Sequence, residues 1–182
     1  MNQLKHLFYI IIGFLLIAGC VPEPSFPDAP NIQFLSVTNI PFPERSLDSV
    51  YVSILIEDGD GDLGLSSNDI DPPYSPTIID GSGNEVQNRF VNNFFITVKK
   101  KVNGNFEAVS FPGGTSFNGR FPILQENRGA LEVKLNYGIG LFLGVLQSPV
   151  AKGDEVIFEV QIVDRALNES NTISTEPIIL GE

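Results

Sequence analysis

The chain has 182 residues, with 22 Asp and Glu against 11 Lys and Arg and a formal charge of −11. So acidic a chain repels phosphate backbones and anionic headgroups, which excludes nucleic acid as a partner and argues against charge-driven membrane binding. Its one histidine and one cysteine, His6 and Cys20, both fall in the first twenty residues, so the remainder cannot build Ser-His-Asp or Cys-His nucleophile systems or the usual zinc, copper and haem sites.

The first element is an export signal. Lys5 and His6 precede an apolar run from Leu7 to Gly19 that ends at Cys20 and is stopped by Val21-Pro22-Glu23-Pro24. A spanning helix needs about 20 apolar residues, so cleavage suits this run better than a membrane anchor. Ile17-Ala18-Gly19-Cys20 resembles the lipobox of bacterial lipoproteins. That resemblance implies a signal peptide over 1–19, removal of that peptide, and lipid, palmitate included, on the thiol of Cys20. The alternative is an ordinary secretory signal or short anchor helix with an incidental cysteine. After cleavage Lys5 is gone, leaving ten basic residues against twenty-two acidic ones and a charge of −12. With Cys20 lipidated no disulfide can form, and the domain is held by its core, by a metal, or by both.

Residues 20–30 carry prolines at 22, 24, 27 and 30 and read as an extended tether of roughly 30 Å. A partly packed edge strand around Phe26 to Ala29 is the alternative. The domain proper is expected over 31–182, long enough for one real core.

From Ile32 onward the dominant pattern has period two, the mark of half-buried strands. Ile32 to Val37 opens the domain. Val50, Val52, Ile54 and Ile56 alternate with Tyr51, Ser53, Leu55 and Glu57; Phe94, Ile96 and Val98 begin the next alternation. That strand runs into Asn103-Gly104, a type I′ hairpin signal, and returns over Phe106 to Phe111. Leu131 to Tyr137 and Val156 to Ile162 alternate as well, and Thr172 to Leu180 closes the chain with Pro177 favouring an edge. Ile139 to Leu146 is apolar on all sides, which leaves a buried strand and a short helix both open. Seven or more short strands without a convincing amphipathic helix predict an all-β antiparallel sandwich. Its final third, DEVIFEVQIVDRALNESNTISTEPIIL, resembles the last hairpin of immunoglobulin-like and fibronectin-like domains.

One segment is composed for chemistry. Glu57-Asp58-Gly59-Asp60-Gly61-Asp62-Leu63-Gly64, with Asp69 and Asp71 beyond it, places six carboxylates within fifteen residues and no lysine or arginine among them. Such crowding is costly unless solvent or a cation offsets it. Calcium suits it, since calcium takes six to eight oxygens at flexible angles. Asp58, Asp60, Asp62 and Asp69 match positions one, three, five and twelve of an EF-hand loop. Position six is Leu63 instead of glycine, and a strand precedes the loop, so a calcium loop on a β scaffold is expected. The alternative is a solvated, glycine-rich turn. In an immunoglobulin-like sandwich the loop after Val163 emerges at the same end, where Asp164 and Asn168 would complete the coordination; otherwise Asp164 pairs with Arg165 or caps a turn.

The lipobox, the proline-rich tether, a strand entering DGDGDLG and a terminal strand-loop-strand together resemble envelope lipoproteins of the Bacteroidetes type. The resemblance implies an outer-membrane location and a sandwich fold; it implies no reaction. The expected role is a non-enzymatic binding or scaffolding module anchored to the bilayer through acylated Cys20. An envelope protein or a glycan is its candidate partner, and the face of the membrane is open. The rival is a carbohydrate-binding or carbohydrate-active protein, against which stands the absence of tryptophan for stacking on sugars. A purely structural envelope subunit is the third class.

Overall fold

The computed structural model describes residues 24–145 and 147–182. The expected signal peptide and Cys20 lie outside the described residues.

The strands are β1 (Asn31–Phe42), β2 (Leu47–Asp58), β3 (Thr77–Ile79), β4 (Glu85–Gln87), β5 (Phe94–Val102), β6 (Asn105–Ala108), β7 (Leu131–Phe142), β8 (Glu155–Ile162), β9 (Ile173–Ser174) and β10 (Ile178–Ile179). Among the described residues the only helical elements are three short 3-10 turns, and none is long and apolar enough to cross a membrane.

The two main sheets have the orders β1-β2-β7 and β10-β8-β5-β6, with β9 also on β8, and β3 and β4 form a separate two-stranded hairpin; every pairing is antiparallel. This is an immunoglobulin-like sandwich in which the first, second and fifth main strands face the third, sixth and seventh, with the fourth strand joined to the second sheet. The alternating residues supply the core: Val50, Val52, Ile54 and Ile56 of β2 pack with Phe94, Ile96 and Val98 of β5 and with Val156, Phe158, Val160 and Ile162 of β8. Phe94 stacks on Tyr137 of β7 at 3.9 Å between ring centroids, joining the sheets. Where β1 meets the loop before β9, the Asn171 amide accepts from the Ile32 N–H and donates to the Ile32 carbonyl, at 2.8 and 2.9 Å.

The Asn103-Gly104 turn forms as expected, with positive φ at both residues. The segment from Ile139 continues β7 as far as Phe142. It looks apolar on all sides because its outward positions hold Gly140, under Leu47, and the half-exposed Phe142. The return strand is shorter than expected, ending at Ala108. The last strand divides into β9 and β10 around Glu176-Pro177, because proline has no N–H for the ladder.

The proline-rich tether also differs from the expected free spacer. Pro30 is buried, and the Pro27 carbonyl accepts from the Gly59 N–H at 2.8 Å. Its second half is part of the domain.

Candidate metal centre

The strand period aims Asp58 inward. On β2 the even-numbered residues face the core from Asp48 to Asp58, and Asp58 itself is fully buried. The chain then turns through Gly59-Asp60-Gly61, which brings Asp60 and Asp62 back toward it. Carboxylate oxygens of Asp58, Asp60 and Asp62 all lie within 4.8 Å of one another.

Glycine is required at three points of this loop, Gly59 by a close backbone approach and two others by positive φ as well. Gly61 and Gly64 have φ of +67° and +99°, and a Cβ on either would overlap a backbone carbonyl, that of Gly129 or of Pro122. Between them Leu63 is fully buried and belongs to the core cluster. The departure from an EF-hand at position six therefore has a packing reason. The loop is pinned to the segment before β7 by Gly129 N–H to Asp60 C=O at 2.9 Å, Leu65 N–H to Phe121 C=O at 3.1 Å and Leu124 N–H to Leu63 C=O at 3.2 Å.

The carboxylates themselves are poorly partnered. Both side-chain oxygens of Asp58, with Oδ1 of Asp60 and Oδ2 of Asp62, are buried and accept no hydrogen bond. Buried polar groups are ordinarily paired, and an unpaired charge in low dielectric is costly. Burial, reinforced by the charges of Asp60, Asp62 and Asp164 and opposed by the nearby Gly61 N–H, pushes the Asp58 carboxyl up to about 7. Burial and Asp60 likewise raise that of Asp62, against the backbone N–H of Arg165. Among the described residues the cation paired with the cluster is Arg128, whose guanidinium lies 3.6 Å from Asp60 and 3.8 Å from Asp62 and whose side chain is 74% exposed. A pair so long and so exposed offsets little of the repulsion.

The other expected ligands are placed differently. Asp69 lies outside the cluster: Arg165 donates to both its oxygens, at 2.7 and 3.0 Å, and the Ser66 N–H donates at 2.6 Å. The Arg165 guanidinium holds the Asp69 carboxyl well below the usual range. The loop after β8 does share the acidic end, since the Arg165 N–H reaches the Asp62 backbone carbonyl at 3.2 Å. Asp164, however, accepts from the backbone and side-chain N–H groups of Asn168 at 2.7 and 2.8 Å. Asp164 and Asn168 close their own turn, the alternative raised by the sequence, while burial raises the Asp164 carboxyl and its charge bears on Asp58.

Sequence reasoning missed Arg128 and Arg120. Arg120 donates to the carbonyls of Val91, Ser66, Asp69 and Tyr74, which fixes the loop after the cluster. Neither arginine has a local signal, because each reaches its partners across the fold. A cavity of about 270 Å³ opens beside Asp62 and Leu63, rimmed by Gln125, Glu126, Arg128 and Arg165. A larger one, about 310 Å³ between β5 and residues 109–118, has no ionisable residue in its lining, so the chemistry concentrates at the acidic end. Three converging carboxylates with free, buried oxygens can hold a hard metal ion. No protein-family model matches the chain, and no curated protein matches it.

Proposed function

We propose that the chain is an envelope lipoprotein whose sandwich is a non-enzymatic binding or scaffolding module, stabilised at one end by calcium held between Asp58, Asp60 and Asp62. The observation that carries the reading is the set of buried, unpartnered oxygens on those three residues. An all-oxygen donor set selects hard cations, and calcium tolerates the irregular geometry of a loop better than magnesium does. Loop carbonyls and water would supply the remaining ligands. The scaffolding role is supported by a chain that beyond Cys20 has no histidine or cysteine, and the anchor by the residues around Cys20.

Calcium titrated calorimetrically into the soluble chain from residue 24 should bind at one ion per molecule, and Asp60→Ala with Asp62→Ala should abolish it. Calcium bound by the double variant as by the parent would overturn the metal reading. For the anchor, Cys20→Ser in the precursor should give a protein that is neither lipidated nor cut at that bond. Processing and lipidation that persist in the variant would remove it.

A further inference from the structure

The chain enters the sandwich at the acidic end, because β1 begins with Asn31 paired to Glu57, one residue before Asp58. It is held there before the strand begins. The Gly59 N–H binds the Pro27 carbonyl, and a Cβ on Gly59 would overlap the carbonyls of Phe26 and Pro27. The stretch from Cys20 to Phe26 can therefore span at most about 20 Å. An acyl group on Cys20 would bring this end of the domain close to the bilayer and turn the other end away.

The same end displays apolar side chains that the core does not use. Ile70, Ile78, Ile79 and Val86 lie in the connection from β2 to β5, and Ile123 lies in the segment pinned to the acidic loop; all five are exposed. Three of them belong to the β3–β4 hairpin, in which no strand residue is buried. Ile78 pairs with Val86 on one face of it, and Ile79, 68% exposed, stands opposite Glu85 on the other. A two-stranded hairpin is marginal alone, and one carrying apolar residues on both faces is suited to an apolar or interfacial surrounding. Its tip, Asp80-Gly81-Ser82-Gly83-Asn84, is polar, as a segment at headgroup depth should be.

We infer that this end of the sandwich rests on the lipid bilayer, with Ile78, Ile79 and Val86 of the β3–β4 hairpin seated in its interfacial region. The inference rests on the anchor reading of Cys20 and is independent of the cation. The short tether makes the hairpin's contact with lipid effectively intramolecular, so a few exposed isoleucines suffice where free protein would not bind.

The test uses the full acylated protein in phosphatidylcholine vesicles. Because the chain has one cysteine and the lipid consumes it, Ile79→Cys supplies the only free thiol for an environment-sensitive fluorophore. Glu107→Cys, exposed on β6 at the far end, is the control. The label at 79 should shift to the blue on vesicles and be quenched several-fold less by iodide than in solution, with no change at 107. Equal quenching at 79 and 107 on protein whose mass shows the acyl chain would overturn the inference and leave the anchor standing. A mass without the acyl chain would remove the anchor and the inference with it. Shielding at 79 that grows with protein concentration in the absence of vesicles would assign the hairpin to a second copy and overturn it as well.

Discussion

Asp48 and Asp58 sit near the two ends of β2 on the same inward face, and both are buried. Asp48 is satisfied: it accepts from the Asn39 side chain at 2.7 Å and from the Gly181 N–H at 2.6 Å. Asp58 accepts nothing. A buried aspartate with partners stabilises the fold, whereas one without them, facing two more carboxylates, destabilises it until a proton or a cation arrives. The Asp58 carboxyl is displaced from 3.8 to about 7, so the folded, metal-free chain binds this proton more tightly than the unfolded chain. The stability from this group is complete below its unfolded value and is lost as pH rises through about 7. Asp62 and Asp164 are displaced in the same sense. Asp69 is displaced oppositely, and its contribution is lost in acid. The metal-free protein should therefore lose melting temperature between about pH 4 and about pH 7, and a bound cation taking the proton's place should remove that loss. Asp58→Asn should flatten the metal-free profile and raise stability at neutral pH by about 1–3 kcal/mol, since each pKa unit is worth about 1.4 kcal/mol. A variant with the parent's pH profile in chelator would show that Asp58 is not the strained group.

At the scale of elements, the acidic end is a set of loops locked by backbone contacts and two arginines. Gly64→Ala places a Cβ at positive φ against the Pro122 carbonyl, and denaturant unfolding should show a loss of about 2 kcal/mol or more. Arg165 holds Asp69 bidentately and lies 5.7 Å from the centre of the Tyr74 ring, whose hydroxyl donates to the Arg165 carbonyl. Removing it by Arg165→Ala leaves a partly buried carboxylate unpaired and should cost about 2 kcal/mol. Limited proteolysis should then cut between residues 66 and 76, and a digest unchanged from the parent would show that Arg120 alone holds the loop. The strands at this end were legible in the sequence, because alternation over β2 and β8 is long and regular, and so was the acidic loop, because DGDGD is local. The destinations of Asp69 and Asp164 were not. Asp69 finds its partner 96 residues away, which leaves no mark in spacing, and for Asp164 the sequence offers both the cluster and a turn, of which the nearer amides of Asn168 win. The β3–β4 hairpin escaped notice because two three-residue strands are too short for alternation to show.

For the whole molecule, the inference that two loops share one end followed from strand order alone, and the β1-β2-β7 and β10-β8-β5-β6 sheets bear it out. For the tether the sequence offers both a free spacer and a packed strip, because four prolines signal extension equally well in either. A sandwich without disulfides depends on its core along its length and on whatever neutralises its acidic end. An ion held only by the folded state adds stability by mass action, about 2.7 kcal/mol at a hundred times its dissociation constant. The direct measurement is the melting temperature of the soluble chain in millimolar calcium, in millimolar magnesium and in chelator, for the parent and for Asp60→Ala with Asp62→Ala. A calcium site requires that calcium raise the parent's melting temperature more than magnesium does, that chelator reverse the rise, and that the double variant lack it. Equal shifts by the two ions, with the double variant responding like the parent, would contradict it.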